Sequence, residues 1–215
     1  MTSDLDTLHA KANALCRGRP SEGALRRAFG LYAQAAAQGS GASMAAMARM
    51  LETGRGVQCS EREALRFYQL AAEDGLADPA WRLGMMLAEG RGGPRDDVQA
   101  AQLFSSTAGK GDPRGLLSLA RFRLAGRGGA TDVLQARILL KQAVRAGSAQ
   151  AAVELSRLFE AESDLVESWA WARLGESRGH RGARAQRLRL AASLDGAQLE
   201  AAALRFAALT DNVHA

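Results

Sequence analysis

Between residues 41 and 53 the chain reads "GASMAAMARMLET", with large apolar side chains at Met44, Met47, Met50 and Leu51. Spacings of three and four put these residues on one stripe of an α-helix. The stripe returns every 36 residues: Met47, Leu83, Leu119 and Leu155 form one column, and Met50, Met86, Phe122 and Leu158 another. Beside them runs a column of small residues, Ala48, Gly84, Ala120 and Ser156, which lets neighbouring helices approach closely. The columns predict first helices over 42–53, 78–89, 114–125 and 150–161. A second stripe follows each one, aligning Ala64, Ala100 and Ala136, and also Phe67, Leu103 and Leu139. It predicts a partner helix ending at Gly75, Gly111 or Gly147.

Between the two helices stands Gly-Arg-Gly, at residues 54–56, 90–92 and 126–128. A glycine adopts the left-handed conformation of a helix C-terminus without a Cβ clash. The two glycines therefore turn the chain between antiparallel helices, and Arg55, Arg91 and Arg127 are expected on the turn tips. Ser60 and Glu63 have the spacing of a capping box, Asp164 and Glu167 an Asp version of it, and Thr131 offers a cap in the third copy. Asp78-Pro79 and Asp112-Pro113 each place a cap before a proline at the first helical position, although the two pairs are 34 rather than 36 residues apart. The fourth copy lacks Gly-Arg-Gly and is four residues short, which brings Trp171 into the Phe67 column and Gly179 into the Gly75 column.

A single helix pair cannot bury its stripe, whereas several stacked pairs form a continuous core that needs capping elements at its ends. The prediction is an all-α fold of stacked antiparallel helix pairs in one domain, residues 1–215. Within it lie a leading pair in 1–38 (helices 4–16 and 21–38) and repeats at 39–75, 76–111, 112–147 and 148–179. Capping helices follow in 180–215 (181–192 and 196–208), with Asp195 and Gln198 as a weak cap signal and "TDNVHA" as a frayed tail.

The period, the "LG" or "MA" of the first helix, the "GRG" turn and the "AA..G" ending together resemble the Sel-1-like repeat (SLR) family of tetratricopeptide-like α-solenoids. The clearest stretches are "WRLGMMLAEGRGG" at 81–93 and "GRGVQCSEREALRFYQLAAEDG" at 54–75. The chain departs from the pattern at Gly93 and Gly129, where the family usually has the valine found at Val57. The resemblance implies a right-handed α-solenoid. It also implies a non-enzymatic scaffold or adaptor that binds a protein or peptide in its concave groove, in a bacterial signalling, regulatory or envelope-biogenesis pathway. Some disulfide-rich relatives resemble β-lactam-binding enzymes; they carry a cysteine pair in each repeat, which this chain does not.

The remaining composition narrows the chemistry. The two cysteines, Cys16 and Cys59, have no metal-ligand spacing, and His9, His180 and His214 are scattered, so neither a metal site nor a cofactor is expected. No apolar run approaches the roughly 18 residues of a membrane span. The N-terminus carries acids where a signal peptide carries bases, which reads as a cytoplasmic chain or the mature part of a processed one. Catalysis finds no support: His180 lacks a paired nucleophile, "GRGGPR" lacks the Lys-Ser/Thr of a phosphate loop, and Glu160, Glu162 and Asp164 read as a solvated helix end.

The net charge is +5, and the basic residues are almost all Arg. Arginine binds carboxylates and phosphates bidentately. Positions 46, 49 and 53 of the first helix, and their equivalents, are expected to face the groove. Arg49, Arg121 and Arg157 share one column there, joined by Arg82 and Met85, and this row suits an acidic partner or a polypeptide carboxy terminus. Glu52 and Glu154 are available to neutralise part of the row. A second basic stretch, 172–190, holds Arg178, Arg181, Arg184 and Arg187 and gives the alternative, a nucleic-acid-associated face. It lacks aromatics interleaved for base stacking. Trp169 and Trp171 lie on different sides of one helix, which predicts one in the core and the other at the surface.

Overall fold

The computed structural model describes the backbone of residues 2–214 and the side chains of residues 4–211. Twelve helices and no strand occur among them. The leading pair is α1 (Thr2–Leu15) and α2 (Glu22–Ala37). Four pairs follow: α3 (Gly41–Thr53) with α4 (Glu61–Glu73), α5 (Ala77–Glu89) with α6 (Asp97–Gly109), α7 (Pro113–Ala125) with α8 (Val133–Arg145), and α9 (Ala149–Ala161) with α10 (Leu165–Ser177). The chain closes with α11 (Ala183–Ala191) and α12 (Gly196–His214). Helix α12 runs through most of the expected tail; Ala215 and the side chains of residues 212–214 lie outside the described residues. No helix among the described residues is long and apolar enough to cross a membrane. The chain divides into two compact units, residues 1–107 and 108–215.

The turns share one backbone device. Gly54, Gly90 and Gly126 cap α3, α5 and α7 in the left-handed conformation (φ 68°, 70° and 64°). The next N–H, of Arg55, Arg91 or Arg127, then donates back to the carbonyl of Met50, Met86 or Phe122 at 3.1, 2.9 and 3.0 Å, which is the Schellman pattern. The residue that caps the second helix, Ser60, Asp96 or Asp132, donates its N–H to Leu51, Leu87 or Arg123 at 3.0, 3.0 and 2.9 Å. This bond corrects the capping-box expectation. Ser60 Oγ does accept from the Glu63 N–H at 3.3 Å, but the Ser60 N–H that Glu63 would have reached is already committed to Leu51. In the third copy the cap is Asp132, one residue beyond Thr131, accepting from the Gln135 N–H at 2.8 Å. The proline pairs are out of register because Asp78-Pro79 lies inside α5, whose N-cap is Leu76, whereas Asp112 caps α7 directly. The reciprocal box forms at the weakest signal: Asp195 N–H donates to Gln198 Oε1 at 3.0 Å, and Gln198 N–H to Asp195 Oδ1 at 2.8 Å.

Joints between repeats are tighter. Gly39 and Gly147 take the left-handed conformation, and the following Ser40 or Ser148 donates its N–H to Ala35 or Ala143 while capping the next helix with its own hydroxyl. One residue both ends a helix and starts the next. The shortened fourth repeat uses this joint inside the repeat: Ser163 takes φ 64°, and Asp164 donates its N–H to Phe159 and caps α10. The four missing residues are those that the longer turn spends between its two bonds.

Packing follows the sequence columns within each unit. In the first, Ala12, Leu25, Ala28, Tyr32, Ala46, Met47 and Met50 form one cluster across α1, α2 and α3. Phe104 is fully buried, and a Cβ on Gly84 would stand 2.7 Å from its ring, so the small column here is a close approach of α5 and α6. In the second unit the same column holds Ser156, whose hydroxyl is buried but satisfied by Ser168 at 3.2 Å and Gln186 at 2.9 Å. Trp171 is core, and its indole N–H donates to Glu167; Trp169 is half-buried under the Arg187 guanidinium.

Candidate partner-binding surface

The first-helix face of unit 1 is built on α3 and α5. Arg49 and Thr53 of α3 are exposed, as expected, but Ala46 is buried. The column of residue 46 therefore belongs to the edge of the core, and its long polar members, Arg82 and Glu154, are half-buried and engaged. Met85, one turn beyond Arg82, is half-buried too, while Met86 fills the core.

Glu52, near the end of α3, organises the charges here. Its carboxylate accepts from the Arg91 guanidinium at 2.9 Å and from the Tyr68 hydroxyl at 2.8 Å, and Arg82 stands 3.6 Å away. Burial alone would raise the Glu52 pKa. The bonds from Arg91 and Tyr68 and the charges of Arg91 and Arg82 outweigh it, and the carboxyl titrates below its ordinary value. Tyr68 is pushed up by burial and by its bond to Glu52. Arg91 also holds Glu89 at 2.7 Å, and Arg127 lies over the Phe122 ring at 4.3 Å. Of the three turn arginines only Arg55 is the exposed tip that the sequence suggested.

A pocket of about 290 Å³ opens beside this network. Arg49, Arg55, Arg82 and Glu52 border it; Leu25, Ala46 and Met50 supply apolar wall, and Asn13, Cys16 and Tyr32 supply a polar one. The Tyr32 hydroxyl donates to Asn13 Oδ1 at 2.6 Å. Arg49 and Arg55 have no carboxylate partner among the described residues.

In unit 2 the same helix face carries Arg121 and Arg157, both exposed. Arg121 is held by Glu154, with Nε at 2.8 Å from its Oε1. Arg157 makes no ion pair among the described residues, although its charge reaches Glu160.

The basic stretch 172–190 is largely neutralised. Arg178 donates to the carbonyl of Val144 and loses basicity through burial. Arg187 and Arg173 share Glu176 at 2.6 and 3.0 Å, and Arg189 grips Glu160 with two bonds of 2.5 and 2.7 Å. Arg181 and Arg184 are left exposed. The acids at the shortened turn are structural: Glu160 binds Arg189, Glu162 binds Arg137, and Asp164 is a cap. His180, the turn histidine without a paired nucleophile, has its Nε2 2.7 Å from Gln150 Oε1.

Sequence columns found Arg49, Arg82, Met85, Arg121 and Arg157 and offered Glu52 as a neutralising acid, but missed its bonds to Arg91 and Tyr68, the place of Arg55 at the pocket, and the wall from α1 and α2. Those groups meet across repeats, at separations outside the 36-residue period.

Known structures repeat this architecture. The chain superimposes with a TM-score of 0.85 on a protective antigen of uropathogenic Escherichia coli that displays an SLR fold; the two are 22% identical, and the match covers 98% of this chain but 46% of that one. A Sel1 repeat protein from Oxalobacter formigenes matches with a TM-score of 0.76 at 22% identity, over 83% of this chain and 73% of its own. An immunity protein from Pseudomonas aeruginosa matches at 0.57 and 19% identity, over 98% and 83%. The chain thus spans about half the length of the E. coli antigen. Comparison with curated proteins finds no match. Sel1 repeat proteins generally mediate protein–protein interactions. The Sel1 repeat family model matches residues 13–40, 41–76, 80–112 and 113–148, most of the chain, and with stacked helix pairs joined by left-handed glycines in each unit, this protein belongs to the Sel1 repeat family.

Proposed function

We propose that the chain is a non-enzymatic adaptor that docks an acidic segment of another protein on the first-helix faces, through Arg49, Arg82, Met85, Arg121 and Arg157. The observation that supports this most is the contrast between its two basic regions. On the C-terminal stretch carboxylates and a carbonyl consume most of the guanidiniums. On the first-helix faces Arg49 and Arg157 make no ion pair among the described residues and stay exposed. An exposed arginine without a carboxylate of its own gains when a partner brings one. The family's general role in protein interaction supports the same reading, and a cytoplasmic bacterial setting completes the proposal.

The test uses a partner identified by cross-linking, purified and titrated against the full chain. Arg49→Gln with Arg157→Gln is expected to weaken it about tenfold or more, with the thermal midpoint unchanged, and raised salt is expected to weaken the wild type. Arg181→Gln with Arg184→Gln is expected to leave it intact. Loss of binding only in the second variant would move the site to the C-terminal face.

A further inference from the structure

The pocket of unit 1 asks for a more specific occupant than an acidic surface does. Its volume of about 290 Å³ sits at the lower edge of the range of about 300–1,000 Å³ for small-molecule sites. That suits one residue and its backbone better than a cofactor. Its charges are uneven. Glu52 is already saturated by Arg91, Tyr68 and Arg82. Arg49 and Arg55 border the same space with no carboxylate of their own among the described residues. Leu25, Ala46 and Met50, all buried members of the core, supply the apolar part of its lining.

The two halves make different demands. An Asp or Glu side chain would satisfy the guanidiniums and leave the wall against a methylene or water. An aliphatic side chain alone would cover the wall and leave two cations without an anion. A terminal residue carries both groups on one Cα: an α-carboxylate, which matches the guanidinium fork, and its own side chain. We infer that this pocket receives the C-terminal residue of a partner polypeptide, with the free carboxylate between Arg49 and Arg55 and an aliphatic side chain against Leu25, Ala46 and Met50. The inference rests on the first-helix face being the binding surface, since Arg82 and Met85 continue from the pocket along that face.

His9 offers a reporter. Its ring stands 5.4 Å from that of Tyr32, which lines the pocket. Burial lowers the His9 pKa, and the positive charge of Arg49 lowers it further. An anion at Arg49 offsets the second effect, so the His9 pKa rises on binding.

The experiment titrates the full ¹⁵N-labelled chain with N-acetyl-leucine and, in parallel, with N-acetyl-leucinamide, which differs only in its neutral end. The acid is expected to bind with a Kd on the order of 1–10 mM, as a ligand of this size allows. It should shift the amide signals of Cys16, Tyr32 and Arg49 and raise the His9 pKa, and the amide should do neither. Arg49→Gln with Arg55→Gln should weaken the acid at least tenfold, while Arg181→Gln with Arg184→Gln should not change it. Equal binding of acid and amide, shifts that map elsewhere, or retention in the Arg49/Arg55 variant would overturn the inference. If these fail while Arg49→Gln with Arg157→Gln still releases a purified partner, the acidic-segment reading stands and the terminal-carboxylate reading falls. If the acid binds as described but partners ignore the first-helix face, the adaptor reading falls instead.

Discussion

The two glycines of each of the first two turns are not equivalent, and Gly90→Ala against Gly92→Ala measures the difference. Both residues have positive φ, 70° and 76°. At Gly90 an added Cβ finds ordinary space, with Cβ of Arg95 nearest at 3.5 Å. Only the left-handed conformation is charged against alanine there, about 1–2 kcal/mol, partly offset by about 0.4–1 kcal/mol from a less flexible unfolded chain. The expected loss is about 1 kcal/mol. At Gly92 the Cβ would lie 2.3 Å from the carbonyl oxygen of Glu61 and 2.7 Å from its carbon. Those are backbone atoms at the start of α4, and no rotamer change relieves them. The turn has to move away from the neighbouring repeat, which adds about 1–3 kcal/mol by the measure of overpacked cores. It also strains the Arg91–Glu52 bond beside it. The expected total is about 2–4 kcal/mol.

Urea unfolding followed by circular dichroism, with the slope checked for constancy, reads both changes. Gly56→Ala provides a second copy, since its Cβ would meet Cβ of Leu25 at 2.4 Å and the Leu25 carbonyl carbon at 2.9 Å. The order expected is Gly92 and Gly56 well above Gly90. A Gly90 variant as damaging as the Gly92 one would refute the claim that the last glycine of the turn serves contact between repeats and the first serves helix termination.

Other outcomes follow from the same geometry. Ser163→Gly relieves a side chain held at φ 64°; after the entropy cost of glycine the expected gain is about 0.5 kcal/mol, and a loss in urea midpoint would count against the shortened joint. Arg91→Ala should cost about 1–2 kcal/mol through its charge-assisted bonds and Arg55→Ala less than about 0.5, so equal effects would remove Glu52 as an organising charge. Stability should fall on acidification in two stages. His9 has a depressed pKa, so the unfolded chain takes its proton first and stability declines below its ordinary value of 6.5. Glu52, Asp112, Glu160 and Glu176 are also depressed, so their contribution is present above the ordinary carboxyl values of 3.8 to 4.5 and is lost as pH falls through the folded ones. Thermal midpoints across pH 3–7 check this, and Glu52→Gln should flatten the lower stage; an unchanged profile would be evidence against the network.

The helices were legible because period and punctuation agree: each first helix begins within one residue of its expected start, and Gly54, Gly90 and Gly126 end three of them as read. What misled was local chemistry with two uses. Ser60 and Glu63 have the right identities for a box, but the turn claims the Ser60 N–H for Leu51, and no single-helix rule can foresee a donor taken by the preceding helix. Asp78-Pro79 looks like a helix start, yet Pro79 sits where its missing N–H still costs nothing, in the first turn after an uncapped Leu76. The sequence leaves such cases open because first-turn positions tolerate proline alike.

The candidate surface was less legible, and the reason is arithmetic. A column lists what recurs at 36 residues, whereas neutralisation happens at other offsets. Arg121 finds Glu154, 33 residues on, and Arg91 finds Glu52, 39 residues back. Arg49 and Arg121 share a column, yet only Arg121 has such an acid. The position 33 residues beyond Arg49 holds Arg82, a like charge, where Arg121 meets a carboxylate. The repeat thus fixes where an arginine can stand, and the substitutions that break the repeat decide whether its charge is used internally or left for a partner. By that argument a binding site in a repeat protein should be sought where the period fails to supply a counter-charge. In this chain Arg49 and Arg157 mark such places, and Arg49 stands with Arg55 at the pocket to which α1 and α2 also contribute.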